Sequence, residues 1–205
     1  MAWATAAPDV HSLAQAVDEH YNHLKTLQAE FTETYSGLGT ERSESGTLWL
    51  KKPGKMRWEY RSPQEKLFLS DGKDTWFYLP ADRQARRTPV KQLDDLRSPL
   101  AFLLGKAKLE KELEALSVAS DISPLTPGDM VLRGIPKAMA GRVNQVILEI
   151  TPEHLISRIA VEEADGSQTE YRFNEQKENI QVSDQRFRFA PPAGVEVISG
   201  ELQPQ

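Results

Sequence analysis

GTLWLKKPGKMRWEYRSPQEKLFLSDGKDTWFYLP, Gly46 to Pro80, holds three of the chain's four tryptophans and two of its five tyrosines. From Thr47 to Lys52, Leu48 and Leu50 alternate with Thr47, Trp49 and Lys51, the period of two that marks a strand. Pro53-Gly54 is a turn dipeptide, with φ fixed at proline and freed at glycine. Met56, Trp58 and Tyr60 then share one strand face, and Lys55, Arg57, Glu59 and Arg61 the other. Ser62-Pro63 breaks the run. Leu67 to Leu69, Asp71-Gly72 and Trp76 to Leu79 spell a hairpin that Pro80 ends. A sheet this aromatic calls for an apolar partner, and the nature of that partner is the functional question.

The rest of the chain extends the same pattern. Asp9 caps a predicted helix to about Lys25, with Val10, Leu13, Val17, Tyr21 and Leu24 at spacings of three and four. Leu27 to Tyr35 alternates as a strand, and the polar Ser36 to Ser45 reads as a loop. Arg83 to Val90 reads as a polar edge strand or loop. Ser98-Pro99 opens, and Gly105 closes, a short helix whose interior, Leu100 to Leu104, is apolar all round. Leu109, Leu113 and Leu116 predict an amphipathic helix. Strands follow at Asp129–Arg133, Arg142–Ile150, Leu155–Glu162, Gln168–Phe173 and Phe187–Phe189. Strand runs with helices inserted between them indicate α+β with an antiparallel sheet. About ten short strands are too many for a flat sheet, so it should curl into a barrel or half-barrel whose concave face the helices plug or roof.

Composition narrows the function. The chain has 205 residues, 39% apolar and 27% charged, as in a globular domain, with a net charge of −5 that argues against nucleic acid as the partner. Residues 9–199 read as one domain, residues 1–8 as the remnant of a signal segment behind an added methionine, and residues 200–205 as a flexible tail. There is no cysteine, which removes disulfides, thiolate nucleophiles and cysteine lipidation. His20 and His23 have no carboxylate-rich or cysteine set beside them and read as solvated or packed rather than metal-bound. No GxSxG, HExxH, Walker, GxGxxG or EF-hand pattern is present, and Asp94-Asp95 and Glu162-Glu163 are adjacent carboxylates that diverge on a strand or helix. The chain reads as a binding protein, not an enzyme, with no cofactor and no metal.

FTETY (31–35), GTLWLKKPGKMRWEY (46–60), LSDGKDTWFYLP (69–80), SPLAFLLG (98–105) and FRFAPPAGVEV (187–197) together resemble the periplasmic outer-membrane lipoprotein carrier family, the shuttle of the Lol pathway in Gram-negative bacteria. The resemblance covers nearly the whole chain in order and is weakest from Lys106 to Gly141. It implies an incomplete antiparallel barrel whose apolar cavity takes the acyl chains of lipoproteins. The implied partners are acylated lipoproteins, an inner-membrane lipoprotein-releasing ABC transporter and an outer-membrane lipoprotein receptor, with the chain a monomer. Leu48, Leu50, Met56, Trp58 and Tyr60 are the implied cavity wall, with Phe102, Leu103 and Leu104 from the lid. Where the family usually has an arginine that holds the lid shut, this chain has Lys52. It is either the lid latch, with a point charge in place of a planar fork, or a solvated strand end. Two other readings use the same fold: an envelope lipid or lipoprotein sensor, and the outer-membrane receptor itself. The first usually adds a second domain; the second needs a lipidated cysteine and an exposed apolar loop.

Overall fold

The computed structural model describes residues 9–90, 103 and 108–199; residues 1–8 and 200–205, and the expected helix at 98–105 apart from Leu103, lie outside the described residues. The first helix, α1 (Val10–His23), begins at the expected cap, where the Asp9 carboxylate accepts from the His11 and Ser12 backbone N–H groups at 3.4 and 3.2 Å. The strands are β1 (Thr26–Gly37), β2 (Thr40–Lys51), β3 (Lys55–Ser62), β4 (Lys66–Asp71), β5 (Asp74–Leu79), β6 (Gln84–Pro89), β7 (Leu113–Val118), β8 (Met130–Pro136), β9 (Val143–Ile150), β10 (Ile156–Glu163), β11 (Gln168–Glu178) and β12 (Glu196–Ser199). One turn of helix, α2 (Leu109–Glu112), precedes β7.

These strands form a single sheet in the order β12-β6-β5-β4-β3-β2-β1-β11-β10-β9-β8-β7. It is antiparallel except at one edge, where β12 runs parallel to β6. The two edge strands do not pair with each other, so the barrel is incomplete. Its curvature is legible in the side chains. Trp58 on β3 and Tyr171 and Phe173 on β11 are three strand spacings apart, about 14 Å on a flat sheet. Their ring centroids nevertheless lie 5.9 and 6.2 Å from Trp58. The concave face closes around α1, and one apolar cluster joins Val17 and Tyr21 of the helix to Leu48, Trp58, Leu132, Leu148 and Phe173 of the sheet.

Three predicted elements are corrected. The polar stretch Ser36 to Ser45 is not a loop: β1 and β2 pair from Thr26↔Lys51 out to Gly37↔Thr40, because backbone hydrogen bonds carry a ladder past the end of the core. The amphipathic helix after Leu109 is only α2, and the chain from Leu113 pairs with β8, covering what would be a bare edge. A register shift between Glu114 and Ser117, with Ala115 at φ 51°, inserts one extra residue. That bulge lets leucines spaced three apart face the same way from a strand, so Leu113 and Leu116 both pack on the core. Lastly, Phe187–Phe189 is not a strand. Asp184–Phe187 is a 3-10 turn, and Phe187 is buried with Trp49 and Val182 on the convex face. Phe189 lies 5.2 Å from the rings of both Trp76 and Tyr78, and the final strand is β12.

The convex face is pinned by charge as well. Glu149, 1% exposed, accepts from the Leu125 and Thr126 N–H groups at 2.7 and 3.0 Å, holding the loop between β7 and β8. Its other oxygen faces Arg158 at 3.4 Å, and Arg158 also pairs with Glu170 at 2.7 Å. A buried carboxylate with donors on both oxygens is tolerated where an isolated one is not.

Gly46 sits between Phe31 and Tyr60 on the neighbouring strands, and its missing side chain lets those rings meet edge to face at 4.9 Å. A Cβ there would stand 1.8 Å from the Glu59 carbonyl oxygen. Gly46→Ala is expected to lower stability by about 3 kcal/mol in chemical denaturation, near the top of the usual overpacking range. The exposed Ser43→Ala on the same strand should stay within about 0.5 kcal/mol. The helix is tested separately. The buried Tyr21 hydroxyl accepts from the Ile156 N–H at 3.0 Å, so Tyr21→Phe strands a buried donor. It should cost about 1–3 kcal/mol and speed amide exchange at Ile156 above that at its neighbours on β10.

Candidate functional site

The concave wall runs along β1, β2, β3 and β11. Register places Leu48 beside Trp58, and Trp58 beside Phe68, with Leu50 beside Met56 one step along. Leu48, Leu50 and Trp58 are buried, and Met56, Tyr60 and Phe68 pack on the same cluster from partly buried positions. Leu103 is buried in that cluster too, at 2% exposure. Thus Leu48, Leu50, Met56, Trp58, Tyr60 and Leu103 are brought together; Phe102 and Leu104 lie outside the described residues. The alternation in β2 sends Trp49 to the opposite face, where Arg186 stacks over its ring at 4.4 Å.

What covers the wall is α1. Ala14, Val17 and Tyr21 form its buried stripe, continued by Leu24 just past its end. Polar contacts fasten it all along its length. His11 Nδ1 meets Glu110 of α2 at 2.7 Å, the Asp18 carboxylate accepts from the Leu109 N–H at 3.0 Å, and His20 Nε2 meets Glu178 at the end of β11. His23, the third histidine of the helix, bonds the Glu19 carbonyl at 2.9 Å. Glu110 raises the pKa of the exposed His11 imidazole; burial raises that of the Asp18 carboxyl.

Lys52 closes the C-terminal end of the helix. Its ammonium donates to the Tyr21 carbonyl and to the Asn22 carbonyl, the latter at 3.2 Å. The last carbonyls of a helix have no partner within it and carry the negative end of its dipole, so a cation is favoured there. Burial pushes the Lys52 ammonium below the ordinary lysine value. The contact ties the β2–β3 turn to α1, and directly beneath it lies a void of about 10 Å³ bounded by Leu24, Leu27, Leu50, Lys52 and Leu103. That is room for about one water. Residues of α1 and Leu103 thus pack in one cluster with the wall. The larger recess, about 650 Å³, is open and lies on the convex side between Trp49, Arg57 and the segment Ile180 to Arg188.

Sequence reasoning placed half of this wall and missed the other half. Phe31, Tyr171 and Phe173 complete the aromatic group around Trp58. Their alternation in FTETY and QTEYRF was a usable signal, but nothing local says that β1 and β11 are neighbours. Also missed was the polar end of the wall. The Tyr60 and Tyr171 hydroxyls donate to the two oxygens of Glu33 at 2.7 and 3.2 Å, while Lys66 pairs with Glu44 and sits 4.5 Å over the Tyr60 ring. Burial, and then the negative charge of Glu33, push both phenols far above the usual tyrosine value. Among the described residues no group of three or more histidines and carboxylates is arranged to hold a metal ion, and no helix is long and apolar enough to cross a membrane.

The family described as outer membrane lipoprotein carrier protein LolA matches residues 22–190. The outer-membrane lipoprotein carrier protein of Chromobacterium violaceum is 29% identical over 201 residues, covering 96% of this chain and 92% of that protein. That of Nitrosospira multiformis is 30% identical over 181 residues, covering 86% and 84%. An uncharacterized conserved protein from Thermus thermophilus has a similar structure, with a TM-score of 0.60 at 14% identity over 93% of this chain and 98% of that one. The Mycobacterium tuberculosis lipoprotein LppX has a TM-score of 0.53 at 12% identity over 87% and 100%. At such identities those two likenesses concern the fold alone. The sequence match spans the wall, its turn at Lys52 and most of the sheet, and the chain belongs to the outer-membrane lipoprotein carrier protein family.

Proposed function

We propose that this protein is a periplasmic carrier that holds the acyl chains of lipoproteins against its concave wall. It takes them from an inner-membrane ABC transporter, hands them to an outer-membrane receptor, acts as a monomer and catalyses no reaction. The observation that carries this reading is a continuous apolar wall, from Leu50 and Met56 through Leu48 and Trp58, covered by a helix held at its edges by polar contacts. Each buried methylene contributes about 0.8 kcal/mol, so a chain of about fifteen gives about 12 kcal/mol gross. Two such chains would exceed the ceiling of about 18–21 kcal/mol that non-covalent binding reaches. A carrier built so would never release its load. With α1 and Leu103 already seated on the wall, cargo gains only the difference between its contacts and theirs, and Leu48, Leu50 and Trp58 stay shielded from water without it. The test is solubility: an acylated lipoprotein freed of detergent should stay in solution as a stoichiometric complex, and its unacylated form should not associate. Association independent of acylation would discard the carrier reading.

Lys52 is the latch in this cycle. Hydrogen bonds from a charged donor are worth roughly 1.5–3 kcal/mol each, and two of them bias α1 toward closure. Since water at the rim screens them to a net of about 1.4 kcal/mol, their loss in Lys52→Leu should tighten binding of an apolar fluorescent probe by about tenfold and slow transfer of cargo to the acceptor. Lys52→Arg, with a planar fork able to bridge both carbonyls, should weaken probe binding. Equal probe affinities in all three proteins would remove the latch role. Met56→Glu is expected to impair loading more than folding. Met56 is only half-buried, so the carboxylate can reach water in the empty state, but it opposes an acyl chain laid over it. Unchanged loading and transfer would take Met56 off the wall that cargo touches.

A further inference from the structure

Trp58 is 2% exposed at the centre of the concave wall, with Phe31 edge to face at 4.7 Å and Tyr171 and Phe173 beyond. Its indole N–H is buried and has no hydrogen-bond partner among the described residues. The other polar aromatic tips near it are engaged: Tyr60 and Tyr171 donate to Glu33, and the Tyr21 hydroxyl accepts from Ile156. Among the described residues the second buried side-chain atom without a partner is Gln176 Oε1, and its amide is oriented by the nitrogen's bond to the Ile156 carbonyl at 3.0 Å. Nothing orients the Trp58 donor in this way. Leaving a buried donor unpaired costs free energy that a wall of leucine and phenylalanine would not incur.

The polarity of the wall changes at this residue. On one side along the strands come Met56, Leu50 and Leu27, all in the apolar cluster beneath α1. On the other come Tyr60, Glu33, Glu44 and Lys66. An amphiphile lying along this gradient has its hydrocarbon on the Met56 side, its headgroup on the Glu33 side and the junction at Trp58. An indole N–H only donates, so its complement is an acceptor. Amid aromatic rings that acceptor is neutral, because an anion would stay uncompensated there. In an acylated glycerol the neutral acceptor at the junction is the ester carbonyl.

We propose that the Trp58 indole N–H is a carbonyl subsite: it donates to the ester carbonyl of a bound acyl chain and sets how deep that chain lies. This deepens the carrier reading and rests on it. The subsite predicts a preference that an apolar wall alone would reverse. Without a donor, a dialkylglycerol ether should bind at least as tightly as the matching diacylglycerol, whose carbonyls lose water on entry. With the donor, the ester should bind about threefold to tenfold more tightly. The measurement is displacement of an apolar fluorescent probe from the wild-type protein by diacylglycerol and by its ether analogue of equal chain length. In ¹⁵N-labelled protein the Trp58 indole resonance, identified by its loss in Trp58→Phe, should move downfield with the ester and not with the ether. Trp58→Phe should also abolish the ester preference; should that variant fold poorly, the wild-type comparison decides alone. If both lipids displace the probe and the ester has no advantage, the subsite is wrong and the carrier reading stands. If neither displaces it, both fall.

Discussion

The structure depends on a single apolar contact, that between the buried stripe of α1 and the concave wall of the sheet. Ala14, Val17 and Tyr21 pack with Leu48, Trp58 and Phe173 in one buried cluster. A sheet with unpaired edges and an aromatic concave face would otherwise offer a large apolar surface to water. The helix removes that surface while remaining a separate element, fastened along its length to the sheet and to α2 by hydrogen bonds involving side chains rather than by backbone pairing. A cover of that kind can leave without breaking the sheet. The strand ladder, by contrast, must stay intact for the wall to exist.

The contacts that fasten the helix are chemically distinct from the contact that attracts it. Lys52 at the C-terminal carbonyls, Asp18 at the start of α2, and His11 and His20 against glutamates all lie at the rim, where water can replace them on opening. Each such contact is small beside the burial of the stripe. The convex face is built in the opposite manner. Glu149, Arg158 and Glu170 form a buried network there, Asp184 takes Lys51 and Lys55 at 2.7 and 3.1 Å, and Trp49 and Phe187 pack the C-terminal segment down.

Much of this was legible locally. The period of two in Leu48-Trp49-Leu50 and Met56-Arg57-Trp58 sorted the wall from the convex face, and Asp9 with the stripe from Val10 to Leu24 placed α1. Lys52 was singled out by the resemblance, as a latch or a solvated strand end, and the structure sets its ammonium on the helix carbonyls. The strand faces and the helix depend on neighbours a few residues away, where backbone geometry leaves little freedom. Leu113 and Leu116 mark where that logic fails. Their spacing of three suits a helix, and a bulged strand accommodates it equally well once an open edge on β8 is available to pair. Phe187 and Phe189 were apolar for a reason the sequence could state, but not the partner: they fill the convex face beside Trp49 and Trp76.

By itself, the sequence determined the strand faces, the cap and stripe of the helix, the turn that carries Lys52 and the family to which the chain belongs. Only the tertiary structure decided which faces meet. The pairing of β1 with β11 brings Phe31 to Phe173 across more than a hundred residues of chain, and with it Tyr171 to Glu33 and both aromatic groups to Trp58. No short-range rule specifies such a pairing, since its enthalpy comes from contacts that exist only after the sheet has curled. The same holds for the unpaired indole of Trp58. Whether a buried donor finds a partner is a property of everything packed around it, and no residue type or spacing encodes it.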